Sequence, residues 1–291
     1  MVSGLKQTIF NHLPPATLAV VWAIFAFVPT SLAQSEALLG ITALGALVFI
    51  QAMEFVSERH ESWRLNWREA FTDLFYVAFG IFIIGSLTQI LVDSPLSQLK
   101  EAWGIATPWL GDLPFVVQVV LAMMVFEFGQ YWMHRWMHNS ELLWSTHAPH
   151  HHVTQLNVMK AHIGNPIELF LISLSVIALF DFDTNALFAA FVSLGVVAYY
   201  AHANIRSDPP AWYGFLFTTI RHHSLHHTAL SFADTRCNYG NSIILFDRLF
   251  GTFKDGESAV VGQDERKRLS IREQFLFPVS YFANKRRGTE L

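Results

Sequence analysis

The sequence predicts an all-α, polytopic membrane protein: about four transmembrane helices, a helical hairpin that dips into the membrane, and a cytosolic helical domain rich in histidine. Three observations carry that prediction. Of 291 residues, 52% are hydrophobic and only 14% are charged, where an ordinary soluble domain carries roughly 25% charged residues. The apolar residues gather into long charge-poor runs. Twelve of the 14 histidines fall between positions 134 and 227, so they are concentrated rather than spread.

A bilayer core about 30 Å thick takes about 20 mostly apolar residues in a helix. Residues 16–33 carry no charge, 37–56 carry only Glu54 near the end, and 71–92 carry only Asp73 near the start. The run 113–129 is apolar until Glu127 and passes without a turn signal into Gln130, Tyr131, Trp132 and His134, which reads as a span whose helix continues out of the membrane. Two later runs, 167–180 and 186–201, are each shorter than a full span and are separated by Asp181, Asp183, Thr184 and Asn185. They fit the hairpin, with two buried helices of a soluble domain as the alternative. No linker, repeat or low-complexity tract divides the chain. It is read as transmembrane helices over 1–112, a histidine-rich domain over 113–255 and a cytosolic tail over 256–291.

Cations in short loops mark the cytosolic side. Arg59, Arg64 and Arg68 follow the second run, whereas Lys100 is the only cation from Asp93 to Asp112. This places the arginine loop, the segment from His134 onward, and the C-terminus with Lys285, Arg286 and Arg287 in the cytosol. Lys6, the first apolar run and Ser31-Leu32-Ala33 also resemble a cleavable secretory signal, but Pro29 and Gln34 mark a helix end equally well, and an uncleaved first span is the preferred reading. A net charge of −4 and a pI near 6.4 give no basic surface for nucleic acid. The single cysteine, Cys237, excludes an intramolecular disulfide and any CxxC site.

Four histidine-bearing segments follow the fourth run: His134-x-x-x-His138, His147-x-x-His150-His151, His202-x-Asn204 and His223-x-x-His226-His227. In HxxxH the two imidazoles share a helical face one turn apart. In HxxHH the first residue shares a face with both others, so one segment can serve two metals side by side. Imidazoles without thiolates suit zinc, iron, copper or nickel rather than calcium or magnesium. One tetrahedral zinc uses four ligands or fewer, and these nine histidines are too many for one ion and suitable for two. His12 and His60 lie outside any pattern, while His152 and His222 are redundant beside a complete HxxHH and are left as outer-layer candidates. HExxH, ExxH, GxSxG and the phosphate loop are absent from the sequence, which argues against zinc-peptidase, soluble di-iron, serine-hydrolase and nucleotide chemistries. A metal transporter predicts polar residues lining a path through several spans, and Asp73 is the only charge well within an apolar run.

The order HxxxH, HxxHH, HxN, HxxHH after membrane spans resembles the fatty acid hydroxylase / sterol desaturase superfamily of integral-membrane di-iron oxygenases. Gln130-Tyr131-Trp132, Leu143-Trp144, Asn238-Tyr239-Gly240 and the run from Asp247 to Thr252 add to the likeness, which covers roughly 115–253. The resemblance implies that the nine patterned histidines hold two irons, with zinc as an occasional replacement, and that the iron pair activates O2 to attack an unactivated C–H bond. It implies a hydroxylase of a membrane lipid such as a sterol, fatty acyl chain, alkyl-lipid or carotenoid, with a desaturase as the alternative outcome at the same site and a metal-binding or transport protein as a remote one. Many relatives carry His-Pro where this chain reads Asn165-Pro166, and His162 is the nearest substitute. With no fused cytochrome b5-like domain, electrons are expected from a separate reductase, ferredoxin or cytochrome b5-like donor. Glu127, Gln130, Asp234, Asn238 and Asp247 are candidates to accept the second ring N–H of ligating histidines.

Overall fold

The computed structural model describes residues 2–263 and 266–287. The described residues are helical, with two isolated β-bridges, Glu58 to Ile205 and Thr228 to Val261, and no strand. The first long helices are α1 (Val2–Phe27), α2 (Glu36–Val56), α3 (Trp67–Trp103) and α4 (Phe115–Asn139). There follow α5 (Glu141–His151), α6 (Pro166–Ser173), α7 (Thr184–His202), α8 (Ala211–Leu216), α9 (Ile220–His226), α10 (Leu245–Leu249) and α11 (Ile271–Arg286). Five of these, α1 to α4 and α7, are long and apolar enough to cross a membrane, and the chain is a multi-pass membrane protein.

Local chemistry sets the helix ends. Ser35 caps α2 by accepting from the Leu38 N–H at 3.2 Å, and the Asn66 side chain accepts from the N–H groups of Arg68 and Glu69 at 3.1 and 3.2 Å to start α3. Helix α3 widens into two π-helical stretches, Gly80–Ile84 and Gln89–Asp93, and stops at Gly104, whose φ of +64° suits glycine. Its outward side chains, among them Phe71, Leu74, Phe82 and Ile90, are exposed apolar surface, as a helix facing lipid requires. Helix α4 runs unbroken from the apolar stretch into His134 and His138, as the absence of a turn signal predicts.

The hairpin is deeper than its sequence suggests. Its descending arm is the short helix α6 followed by a single 3₁₀ turn at Ile177–Leu179. At the tip, Asp181 binds Lys100 and accepts from the Thr107 N–H at 2.6 Å, and Gln118 donates to Asp183 at 3.0 Å. Those partners lie in the last turn of α3, in the connection that follows and near the start of α4, so the tip reaches the end of the bundle opposite the histidines. The ascending arm is α7, whose 19 residues make a full-length span. It occupies the centre of the bundle, against α1, α2, α4, α9 and the 3₁₀ segment Val158–His162. The small residues Ala186, Ala189 and Ala190 allow that close approach.

Two buried acids fasten the first spans to the histidine region. Glu54 accepts from the backbone N–H groups of Val158 and Asn204 at 2.7 and 2.9 Å. Asp73 accepts from Lys160 at 2.7 Å and from Asn157 at 2.9 Å, and Lys160 also binds Glu69. Asp73 is therefore charge-compensated by a buried lysine rather than aligned with other acids along a path. The C-terminal segment docks as well: Leu269 and Phe277 pack on Ala148 of α5, and Lys285 pairs with Glu141.

Candidate metal centre

The C-terminal ends of α4 and α7 and the short helices α5 and α9 bring all nine patterned histidines into one buried cluster. It has two parts. His134, His138, His147, His151 and His226 form one group, and His150, His202, His223 and His227 form the other, each with ligand atoms within 4.8 Å of one another. The two HxxHH segments divide reciprocally. The i and i+4 residues of the first (His147, His151) join the five-histidine group and its i+3 residue (His150) joins the other, while the second segment sends His223 and His227 to the four-histidine group and His226 across.

Hydrogen bonds to backbone carbonyls fix the tautomers of four of these rings, because a carbonyl can only accept. His134 donates from Nδ1 to Tyr239 O at 2.7 Å, His150 to Ile163 O at 2.8 Å, His202 to Ala198 O at 2.8 Å and His226 to Cys237 O at 2.7 Å. His147 Nδ1 meets the buried carboxylate of Glu168 at 2.7 Å. The four rings that face carbonyls therefore present a bare Nε2 lone pair inward, and His147 does the same with Glu168 ionised. His147 Nε2 lies 3.0 Å from His134 Nε2 and 3.1 Å from both His138 Nε2 and His151 Nε2. In the other group His223 Nε2 lies 2.9 Å from His202 Nε2 and 3.0 Å from His227 Nε2.

Two bare lone pairs at 3.0 Å, as between His134 and His147, repel unless a cation sits between them. Nitrogens bound about 2.1 Å from one ion at right angles are about 3.0 Å apart, which matches these separations. His226 Nε2 has no hydrogen-bond partner although it is buried, the state of a donor atom reserved for an ion. Burial pushes the His147 imidazole down to about 3 and His150 to about 4, and holds His151, His223, His226 and His227 well below their ordinary value. At neutral pH these rings are uncharged and available as ligands. The donor set thus fits two metal ions bound by nitrogen.

A cavity of about 260 Å³ ends on the cluster, with His134, His147, His150 and His202 at its floor. Its walls are Phe126 and Gln130 of α4, Leu169 and Ile172 of α6, and Phe191, Leu194 and Ala198 of α7. The wall is chiefly apolar and half-buried, whereas the histidines beneath it are buried.

The other residues singled out in the sequence lie farther out. Asp247 accepts from the N–H groups of Tyr239 and Gly240, both at 2.7 Å, and so holds the carbonyl that receives His134. Asn238, with φ of +52°, donates to the carbonyls of His222 and Lys254 at 3.0 and 2.9 Å and secures the same loop. Glu127 accepts from Ser242 N–H at 2.9 Å, and Gln130 donates to Ile172 O at 3.1 Å. Asp234 is half-exposed and faces Lys254 at 3.7 Å. These five acids and amides thus bind backbone and surface groups, and the second ring N–H groups go elsewhere. His162 meets Tyr199 OH at 3.2 Å, His222 lies 3.2 Å from Thr219 Oγ1 and His152 packs on Phe277, and none of the three joins either group. Cys237 contributes its carbonyl to His226.

The residue that sequence reasoning passed over is Glu168. It stands in an apolar run, which is itself a signal, and it closes the box Asn165-Pro166-Ile167-Glu168 that starts α6. Its contact with His147, 21 positions away, is tertiary.

Residues 119–252 match the protein family described as fatty acid hydroxylase. The chain is 28% identical over 224 residues to ornithine lipid hydroxylase OlsE of Rhizobium tropici, covering 73% of this chain and 66% of that protein. It is 24% identical over 143 residues to human alkylglycerol monooxygenase, covering 48% and 32%, and 28% identical over 153 residues to the Delta(7)-sterol-C5(6)-desaturase of Nicotiana tabacum, covering 50% and 53%. The aligned regions thus span from about a third to just under two-thirds of these relatives' lengths. No solved structure matches the chain significantly. The histidine order, the paired geometry and these likenesses converge: residues 119–252 form a fatty acid hydroxylase domain, and the chain is similar to lipid hydroxylases and a sterol desaturase of that superfamily.

Proposed function

We propose that this protein is a membrane-bound, O2-dependent di-iron hydroxylase of a membrane lipid, with the nine clustered histidines as the ligands of two irons. The observation that carries the reading is the inward lone-pair geometry. His134 and His147 face each other Nε2 to Nε2 at 3.0 Å while their Nδ1 hydrogens are already donated, an arrangement that calls for a cation. The overall reaction is R–H + O2 + 2e⁻ + 2H⁺ → R–OH + H2O. Iron supplies the redox chemistry needed to break an unactivated C–H bond, which acid-base side chains do not provide.

The chain's own residues bind, orient and exclude water. Phe126, Leu169, Ile172, Phe191 and Leu194 form an apolar approach for a lipid tail, and the tail's entry expels water from the histidine floor. The carbonyls of Tyr239, Ile163, Ala198 and Cys237 fix the rings so that little reorganisation accompanies metal binding. The ornithine lipid hydroxylase and alkylglycerol monooxygenase likenesses favour a polar-headed lipid and hydroxylation, and the sterol desaturase likeness keeps desaturation as a second outcome. Electrons come from a separate donor. Residues 113–255 are the catalytic unit, and its histidine site faces the cytosol together with the C-terminus. The arginine loop supports that side: Arg59 N–H donates to Asn204 O at 3.1 Å, two residues from His202.

Anaerobic loading of the purified full chain with Fe²⁺, followed by ¹⁸O2, a reductant and native lipid extract, tests the reading. Close to two irons per chain and a lipid product 18 mass units heavier are expected. No paired metal binding, or no oxygen incorporation with metal bound, overturns it.

A further inference from the structure

We propose that Glu168 is a positioning residue that makes the two metal sites unequal, so that the five-histidine group holds its ion more tightly than the four-histidine group. The inference rests on the di-metal reading above and deepens it. His147 is the hub of its group, since its Nε2 lies within 3.1 Å of three other ligand nitrogens. Its Nδ1 is also the one among the nine clustered rings that meets a carboxylate: four others face carbonyls, His138 lies 3.5 Å from the Thr235 hydroxyl, and Nδ1 of His151, His223 and His227 has no hydrogen-bond partner. A carboxylate behind an imidazole makes the ring a stronger donor and locks its rotation, and such outer partners are worth about 10–100-fold in metal affinity.

The fold is arranged to bring Glu168 there. Its second oxygen accepts from the Asn165 N–H at 3.2 Å, which pins the side chain at the start of α6. Position 164 is glycine, and a Cβ there would overlap that same oxygen. The carboxylate is buried, so its attraction for a cation behind His147 is little screened by solvent.

The test uses the full chain loaded with two ⁵⁷Fe²⁺ under anaerobic conditions and challenged with EDTA. Iron per chain is followed over time, and Mössbauer spectra identify the iron that remains. Wild type is expected to lose the four-histidine iron first. Glu168→Ala should lose the five-histidine iron about 10–100-fold faster than wild type, and its residual spectrum should match that of His147→Ala rather than His223→Ala. Glu168→Gln, which can still accept one hydrogen bond without the charge, should fall between. Asn165→Ala loosens the same helix cap but leaves the carboxylate, and should lower thermal stability without changing the order of iron loss. Equal iron loss from Glu168→Ala, Glu168→Gln and wild type, or an Asn165→Ala variant that mimics Glu168→Ala, overturns the inference. A wild-type chain that never takes up two irons overturns the di-metal reading itself.

Discussion

The two histidine groups share the short helices α5 and α9 and yet differ in what stands behind them. The five-histidine group draws His134 and His138 from the end of α4, a helix continuous with a membrane span, and is backed by Glu168 and by the loop that Asp247 ties down. The four-histidine group takes only His202 from a span and depends for its other members on the short helices α5 and α9. Its ring hydrogens, where placed, go to the carbonyls of Ile163 and Ala198. One group therefore has a spare ligand and a carboxylate, and the other has neither. A site with four ligands loses more from one deletion than a site with five.

The largest effect should come from testing that asymmetry directly. His227→Ala is expected to leave close to one iron per chain after EDTA challenge and to abolish product, whereas His151→Ala, which leaves four ligands in its group, should retain more iron and measurable turnover. Iron analysis and product mass spectrometry on matched preparations decide it. The comparison breaks if the two variants behave alike.

A second substitution separates the cavity from the metals. The cavity floor includes histidines of both groups, and Gly195 of α7 lines it with only ordinary contacts around a prospective Cβ. Gly195→Phe should fill the space, keep two irons and cut turnover at low lipid concentration severely, read as a raised KM. An unchanged KM would place the substrate elsewhere.

A smaller effect, confined to the five-histidine side, is expected from Gly240→Ala. A Cβ at 240 would lie 2.6 Å from Ile243 O and 3.0 Å from Asp247 Oδ2, so the loop must shift and carry Tyr239 O away from His134. Such overpacking costs about 1–3 kcal/mol, seen as a lowered Tm, together with faster loss of the five-histidine iron. A lowered Tm with both irons lost at equal rates would show that the loop supports the whole fold rather than one group.

The membrane runs and the nine histidines were legible in the sequence because both depend on local order: apolar length for a span, i, i+3 and i+4 spacing for shared faces. Even the reciprocal division of the two HxxHH segments follows from that spacing once α5 and α9 meet. The depth of the hairpin was not legible, since 186–201 looks too short until Thr184 and His202 are seen to belong to the same helix. The outer partners were also hidden. Asp234, Asn238 and Asp247 are near the second HxxHH in sequence, but the ring hydrogens point at carbonyls, which every residue possesses and no motif marks. Glu168 and Lys160 were missed for a related reason: a buried charge in an apolar stretch signals a partner without naming it.

The smallest expected effect concerns the outer support of the four-histidine side. Asn204, two residues beyond His202, accepts the N–H groups of Arg59 and His60 at 3.2 and 2.8 Å, and Arg59 is clamped to Glu257 at 2.6 and 2.7 Å. The Arg59 guanidinium holds the Glu257 carboxyl down to about 2 from an ordinary 4.5. A depressed carboxyl contributes stability that is fully present above pH 4.5 and is lost as pH falls toward 2. Between those values the wild-type Tm should fall more steeply than that of Glu257→Gln, which has no titrating group there, and the extra slope should be at most that of one proton. Because the clamp touches the loop beyond His202 and none of the five-histidine group, the iron released first in that pH window should be the four-histidine iron. Simultaneous release of both, in wild type and variant alike, would mean that the clamp serves the bundle and not one side of the metal pair.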